Sequence, residues 1–497
     1  MEPTVVGLLV LGLGLICLFA SPMFAIATIV YLSLFGSAAA INMPALGGAS
    51  VPVAPFFAPF VAFRALLISK GYNRIIAPLS FPKPGFWLVV AVLYGGLAAF
   101  LIAPHFYNEI LVYPIARSEE GIGVFLQRPL QFSSGNITQT FYAIGEVVLF
   151  GAIGALASTY PRKQVFLDLL VNLGIAHILL SAIDLATFYT NTGVLIDWLR
   201  SANYQTWQSA TVAGMKRLSA FFPEASLYSI YGMTIAGIML GLVLSGYRER
   251  LTRVLFACTL VLLLISTSST AYIAVPLGGV VLCLYAVKRA AMQSEGKALL
   301  FVFAILTVVV TVSVLAVLFV PQISSTVNDL IDKTLVNKLG TDSGADRSRL
   351  NEGAFQTLLD SIGLGVGLGG ARTSSFVLTL LSNLGVFGAC LYALFLLTTL
   401  QAKSMTPGNR PEMILRRASR FGMIGGLIGA SISLSIFELG PLFYILAAFA
   451  ALNIRNPINI KHIRLARSVN LGRINPRVTR RLFPVHGMQE DRTIRRF

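Results

Sequence analysis

Charge is what this chain has least of. Asp, Glu, Lys and Arg make up 12% of its 497 residues, where soluble domains carry about 25%. Hydrophobic side chains make up 56%, and the mean hydropathy is +0.77. That balance excludes a water-soluble fold. A separate soluble domain is not expected either, because the intervals between apolar runs are at most about the 50 residues that are the minimum for such a domain. Cysteine is nearly absent: Cys17, Cys258, Cys283 and Cys390 each sit in an apolar run, without a CxxC pair or a neighbouring histidine. Packing is the role that pattern leaves, rather than a disulfide framework or a thiolate metal centre. A basic stretch ahead of the first apolar run is also missing, since the chain starts Met1-Glu2-Pro3. The first run therefore reads as a retained span and not as a cleaved signal.

What is abundant is apolar length. A span takes about 20 apolar residues, which gives about thirteen candidates, near 4–21, 23–42, 50–68, 85–104, 137–159, 165–187, 226–246, 254–269, 270–287, 298–320, 373–401, 421–437 and 439–453. The expected fold class is all-α, a polytopic membrane protein of about 12–13 transmembrane helices in which residues 1–453 form a single transmembrane domain. The net charge of +17 resembles a nucleic-acid signal until the charges are located. They lie in short loops beside apolar spans, which is a topology signal, and no nucleic-acid partner is expected.

Loops 64–84, 160–164, 247–253, 288–297 and 402–420 with the tail 454–497 hold 28 Lys and Arg against five acids; the alternate loops hold ten against thirteen. Positive residues stay cytoplasmic. The first set is therefore expected inside and Met1 outside, with loops 105–136, 188–225 and 321–372 sharing the outer face. The tail, with eleven Lys and Arg, reads as a disordered cytoplasmic anchor drawn to the bilayer's anionic lipid, each charge contributing on the order of 1 kcal/mol.

Polar residues gather in those three outer loops. In the first, Arg128, Gln131, Asn136, Thr138 and Gln139 enter a span, either as a helix cap or as hydrogen-bonding partners for a sugar. In the second, Trp198 and Trp207 suit an interface, and Met215-Lys-Arg-Leu-Ser-Ala-Phe-Phe-Pro-Glu-Ala-Ser226 puts two cations and Glu224 at a span's outer end. Glu224 either stabilises the next helix's N-terminus or belongs to a site. Glu146, Asp168, His177 and Asp184 fall inside spans, where a charge faces a cavity or a partner. Asp184 is near enough to the outer end to reach the polar loops, while Asp168, near the inner end, is expected to pair with Arg162 or Lys163.

The third loop, about 321–372, is the longest polar interruption. Apolar residues recur at helical spacing over 323–339 and again over 349–362, predicting two amphipathic interfacial helices that roof the spans. Beside them stand Arg347, Arg349 and Arg372. Grouped guanidinium groups need anions, supplied either by Asp342, Asp346, Glu352 and Asp360 or by phosphate. Glycines at 363, 365, 367, 369 and 370 follow. No strand precedes the run, so a Rossmann or P-loop reading fails; what remains is a flexible turn at a substrate groove or tight helix packing.

From Arg347 to Gly385 the chain resembles the O-antigen ligase and polymerase family of bacterial envelope proteins. Weaker echoes lie in Ser134-Gly-Asn-Ile-Thr-Gln139, in Arg217 to Ser226 and in the turn Ser266-Thr-Ser-Ser-Thr270. The resemblance implies a GT-C-like architecture in the bacterial inner membrane. It implies chemistry on undecaprenyl-pyrophosphate-linked saccharides at the outer face, with no cofactor and no metal, and partners that include a flippase and a chain-length regulator (polysaccharide co-polymerase). Ligases of the family carry His-Asn shortly after the glycine run, then an acid before a glycine; here those places hold Ser374-Ser375 and Asn383-Leu-Gly385. His105 is the only other outward histidine candidate. Polymerisation of repeat units is therefore the better reading, with ligation or transport as alternatives. In it Arg217, Arg347, Arg349 and Arg372 bind pyrophosphate and Glu224, or next Asp346, is the base. Arg128, Asn136, Gln139, Gly365, Gly367, Ser374 and Ser375 contact glycan.

Overall fold

The computed structural model describes residues 1–43, 49–115, 126–203, 210–212, 215–290, 342–403 and 409–452. Apart from the predicted span 298–320, which lies outside them, every predicted span has a helix. In chain order these are α1 (Val5–Phe19), α2 (Pro22–Leu32), α3 (Val53–Leu66), the short α4 (Gly71–Ile76), α5 (Pro84–Leu101), α6 (Ser134–Ser158), α7 (Gln164–Tyr189), the single turn α8 (Val194–Asp197), α9 (Ala225–Leu244), α10 (Glu249–Ile265), α11 (Ser269–Ala290), α12 (Asp342–Asp360), α13 (Phe376–Gln401), α14 (Arg410–Ser433) and α15 (Pro441–Ala450). Five are long and apolar enough to cross a membrane: α5 with the turn that follows it, α6, α7, α9 and α13. Large apolar side chains stand exposed along their outer faces, Leu93, Leu97, Leu179 and Phe387 among them. Such a surface is stable against lipid and costly against water.

The predicted span 23–42 is only half helical. After α2 the chain turns into strands β2 (Ala39–Met43) and β3 (Ala49–Pro52), which pair antiparallel with each other, while β2 also pairs with β1 (Glu2–Pro3). The predicted interfacial helix at 323–339 and the tail lie outside the described residues.

Helix α9 is the central post. Nearly all of it is buried, from Ala225 to Leu244, and its main partner is α14. The two axes come close because both helices present glycine at the crossing. A Cβ on Gly237 would stand 2.2 Å from the Phe421 carbonyl oxygen, and one on Gly425 would stand 2.2 Å from that of Met233. This contact fixes the N-terminus of α9, and with it Glu224.

The connectors sort into two ends as the loop charges predict. At one end the basic loops close on the helices: Arg64 donates to the Ala20 carbonyl at 2.8 Å, Arg74 to Ser158 at 3.1 Å, and Arg248 pairs with Asp168 at 2.8 Å. Asp168 thus finds Arg248 and the Tyr247 hydroxyl (2.6 Å), not Arg162 or Lys163, because those two precede α7 while Arg248 enters the same end from α10. Lys163 instead donates to the Ala157 carbonyl in the last turn of α6 and to the Tyr160 carbonyl just beyond it. At the other end, the described parts of connectors 33–52, 102–133, 190–224 and 361–375 are stitched together by hydrogen bonds such as Ser37 N–H to Phe221 O (2.8 Å) and Arg372 N–H to Tyr113 O (2.7 Å).

Candidate functional site

The strongest interior anchor at that end is Asp184, fully buried near the C-terminus of α7. Its Oδ1 accepts from Lys216 Nζ and from Arg200 Nη2, both at 2.5 Å, and its Oδ2 accepts the Ala220 amide at 2.9 Å. A carboxylate this deep is tolerable only with such partners. The consequence is local rigidity. Strand β6 (Thr211–Val212) pairs with β7 (Met215–Lys216), Lys216 and Ala220 are both tied to Asp184, and Leu218 and Phe221 bury beside Tyr228. Because side chains alternate along extended backbone, burying Lys216 and Leu218 on one side turns Arg217 to the other.

Helix α12 delivers a second guanidinium. Its buried face carries Leu350, Ala354 and Thr357; Arg347 lies three residues before Leu350 and seven before Ala354, so it shares that face. Gly353 seats on the Tyr113 ring, and Asn351 Oδ1 accepts the Ser374 amide at 2.9 Å. Arg349, two residues on, turns to the opposite side and is exposed, because i and i+2 diverge on a helix. The sequence places Arg347 in a loop with Arg349 beside it. The helix starts seven residues earlier than the apolar period suggests, and that separates them.

Arg217 and Arg347 each lie within the electrostatic reach of Glu224. Burial pulls the Arg217 guanidinium down from its ordinary range, the Glu224 carboxylate works against that, and Arg347 adds to it. Burial likewise lowers Arg347, again opposed by Glu224. Both remain cations, since arginine is not deprotonated in proteins. Among the described residues neither has a carboxylate oxygen within 4.0 Å, and Arg217 Nε has no hydrogen-bond partner. Glu224 is the N-cap of α9 but its side chain does not cap the helix; it accepts the Ser226 hydroxyl instead. Two half-buried cations and one carboxylate leave a net positive charge that favours an anion. Tyr272, in the first turn of α11, also lies in the field of Arg217. A tyrosine in an apolar helix gives no signal of its own in the sequence.

The other candidates lie elsewhere. Asp346 is half-buried on α12, next to Arg347 in the chain. Arg128 is exposed in strand β5 (Arg128–Pro129), which pairs with β4 (Leu111–Val112). Arg372 is half-buried between the glycine run and α13. Gln139 is buried two turns from Glu146 on the same face of α6. Ser374 is buried, and the Ser375 hydroxyl donates to the Ser431 carbonyl at 2.7 Å.

Asn136, Gly365 and Gly367 prove to be braces. Helix α13 is interrupted at Gly385 (φ 62°), which leaves backbone groups without helical partners. The glycine run satisfies them: Val366 and Gly367 amides donate to Ser382 and Asn383 carbonyls, and Val386 N–H donates to Gly363 O, all at 2.9 Å. Asn136 completes its capping box at Ser133 and donates to Leu368 O at 2.9 Å. Gly367 (φ 81°) lies so close to α5 that a Cβ would stand 2.2 Å from Ala99 Cα. The run is a locked strut rather than a flexible turn, as irregular backbone at membrane depth requires.

No family model matches the chain, and a search of characterised proteins finds no match to it. Among the described residues no group of three or more His, Cys, Asp or Glu has an arrangement that would hold a metal ion.

Proposed function

We propose that this protein is a membrane glycosyltransferase that polymerises saccharide units carried on undecaprenyl pyrophosphate, at the outer face of a bacterial inner membrane. One observation supports this above the rest: guanidinium groups from separate segments, Arg217 and Arg347, share the field of Glu224, and among the described residues neither has a carboxylate oxygen within 4.0 Å. A diphosphate is the anion that such a pair fits, because each planar fork engages two oxygens.

In the reaction an acceptor hydroxyl attacks the anomeric carbon, the bond from that carbon to the diphosphate oxygen breaks, and the carrier leaves as its diphosphate. Arg217 and Arg347 stabilise the charge that grows on the leaving oxygens. Glu224, within their field, takes the hydroxyl proton. Holding both lipid-linked substrates together contributes the remaining barrier reduction through orientation.

The test is conversion of a lipid-linked oligosaccharide by purified protein in liposomes without an added energy source. A ladder of lengths supports polymerisation. Transfer of one block to a different acceptor indicates ligation, and movement across the bilayer without new glycosidic bonds indicates transport; either outcome overturns the reading.

A further inference from the structure

The turn that opens α11 is the least satisfied polar surface near Arg217. Its sequence is Ser266-Thr-Ser-Ser-Thr270, and Thr267, Ser268 and Thr270 are each 1% exposed. Their three hydroxyls have no hydrogen-bond partner among the described residues. Ser219, two residues past Arg217 and fully buried, carries a fourth such hydroxyl. Buried hydroxyls without partners are uncommon, because each forfeits its hydration for nothing in return.

The backbone repeats the pattern. The first external bond of α11 is Tyr272 N–H to the Ser268 carbonyl at 3.1 Å, so the amides of Ser269, Thr270 and Ala271 have no helical acceptor. Thr267 holds φ at 50°, a conformation a β-branched residue rarely adopts. The helix brings its positive dipole end to this point and has no acid in its first turn. Ser268 lies four residues before Tyr272 and so on the same face, and Tyr272 is the residue that shares its field with Arg217. Hydroxyl donors and free amides gather at a positive helix end, whose first turn lies in the field of a guanidinium.

We infer that the N-terminal turn of α11 is a phosphate-oxyanion subsite, in which the hydroxyls of Ser268 and Thr270 and the first-turn amides receive oxygens of the same diphosphate that Arg217 engages. This deepens the proposed function and rests on its diphosphate reading. It assigns to a neutral, hydroxyl-lined turn the oxygens that two guanidinium forks do not cover. The same chemistry would accept the phosphodiester of an anionic lipid headgroup, so the source of the phosphate is part of the test.

The experiment is pyrophosphate titration of the full chain in phosphatidylcholine nanodiscs, with thermal unfolding of each variant measured in parallel. Ser268→Ala and Thr270→Val should each weaken inorganic pyrophosphate binding by about tenfold, the loss expected for one hydrogen bond to a charged group, with the unfolding temperature unchanged or raised. Thr270→Ser, which keeps the hydroxyl, should bind as the native chain does. Repeating the titration in discs containing phosphatidylglycerol separates the sources. If that lipid weakens binding by the native chain but not by the two variants, the headgroup occupies the turn and the subsite stands. Native affinity in Ser268→Ala and Thr270→Val overturns the subsite while leaving the arginine reading intact. Loss of affinity accompanied by a fall in unfolding temperature also overturns it, in favour of a structural role. If the native chain and Arg347→Ala alike fail to bind pyrophosphate, the diphosphate reading itself is lost.

Discussion

Truncating Asp184 should loosen the whole segment that presents Arg217. In the native structure one carboxylate holds Lys216 and Arg200, whose side chains are 2% and 11% exposed, each at 2.5 Å. Asp184→Ala leaves the buried Lys216 without a carboxylate and Arg200 with only the exposed Asp197 at 3.4 Å, and breaking a buried pair from one side costs about 3–5 kcal/mol. The Ala220 amide also loses its acceptor, a further penalty of about 1–3 kcal/mol. Neighbouring losses do not add fully, so a destabilisation of about 4 kcal/mol is expected. Denaturant titration in mixed micelles, followed by tryptophan fluorescence, measures it. A companion variant isolates the cause: Asp184→Leu with Lys216→Met removes the stranded lysine and should lose less stability than Asp184→Leu alone. A loss below about 1 kcal/mol for Asp184→Ala, or a double variant that loses the sum of its singles, refutes the idea that this carboxylate is the anchor.

Other consequences follow from the same contacts. Arg347→Ala should lower turnover of a lipid-linked oligosaccharide by about 100-fold, the order seen when a transition-state donor is removed, with unfolding temperature preserved; Arg347→Lys should restore only part, since it lacks the planar fork. Glu224→Gln should reduce polymer yield and length at least about 100-fold in a complemented null strain, and unchanged polymer would remove Glu224 from the chemistry. Gly367→Ala should destabilise the protein by about 2–5 kcal/mol, combining a left-handed φ with overpacking against Ala99; protein recovered from membranes and its unfolding temperature report it.

Much of the helical layout is legible in the sequence because apolar length and the alternation of basic loops are strong signals. The ends of α6, α7 and α9 fall within a few residues of the apolar runs that predict them. Residue 39 onward shows the limit: an apolar run does not distinguish helix from a short strand pair, and here β2 and β3 take over. The basic-loop alternation groups loops 188–225 and 321–372 on one side, and Arg217, Glu224 and Arg347 come from those two loops. The glycine run is harder. Alternating glycines announce close backbone approach but not what approaches, and the partner turned out to be the interruption at Gly385 in the following helix. The separation of Arg349 from Arg347 is hidden for a related reason, since an apolar period marks the packed part of α12 and is silent about the polar turn before it.

The central claim is that Arg217 and Arg347 grip one diphosphate. A double-mutant cycle on turnover of a lipid-linked oligosaccharide, using Arg217→Ala, Arg347→Ala and the pair, tests it most directly. Two guanidinium groups acting on a single leaving group give a double variant at least about tenfold more active than the product of the two separate losses predicts, a coupling of about 1.4 kcal/mol. Losses that simply multiply would mean the two arginines serve different ligands, and would contradict the account.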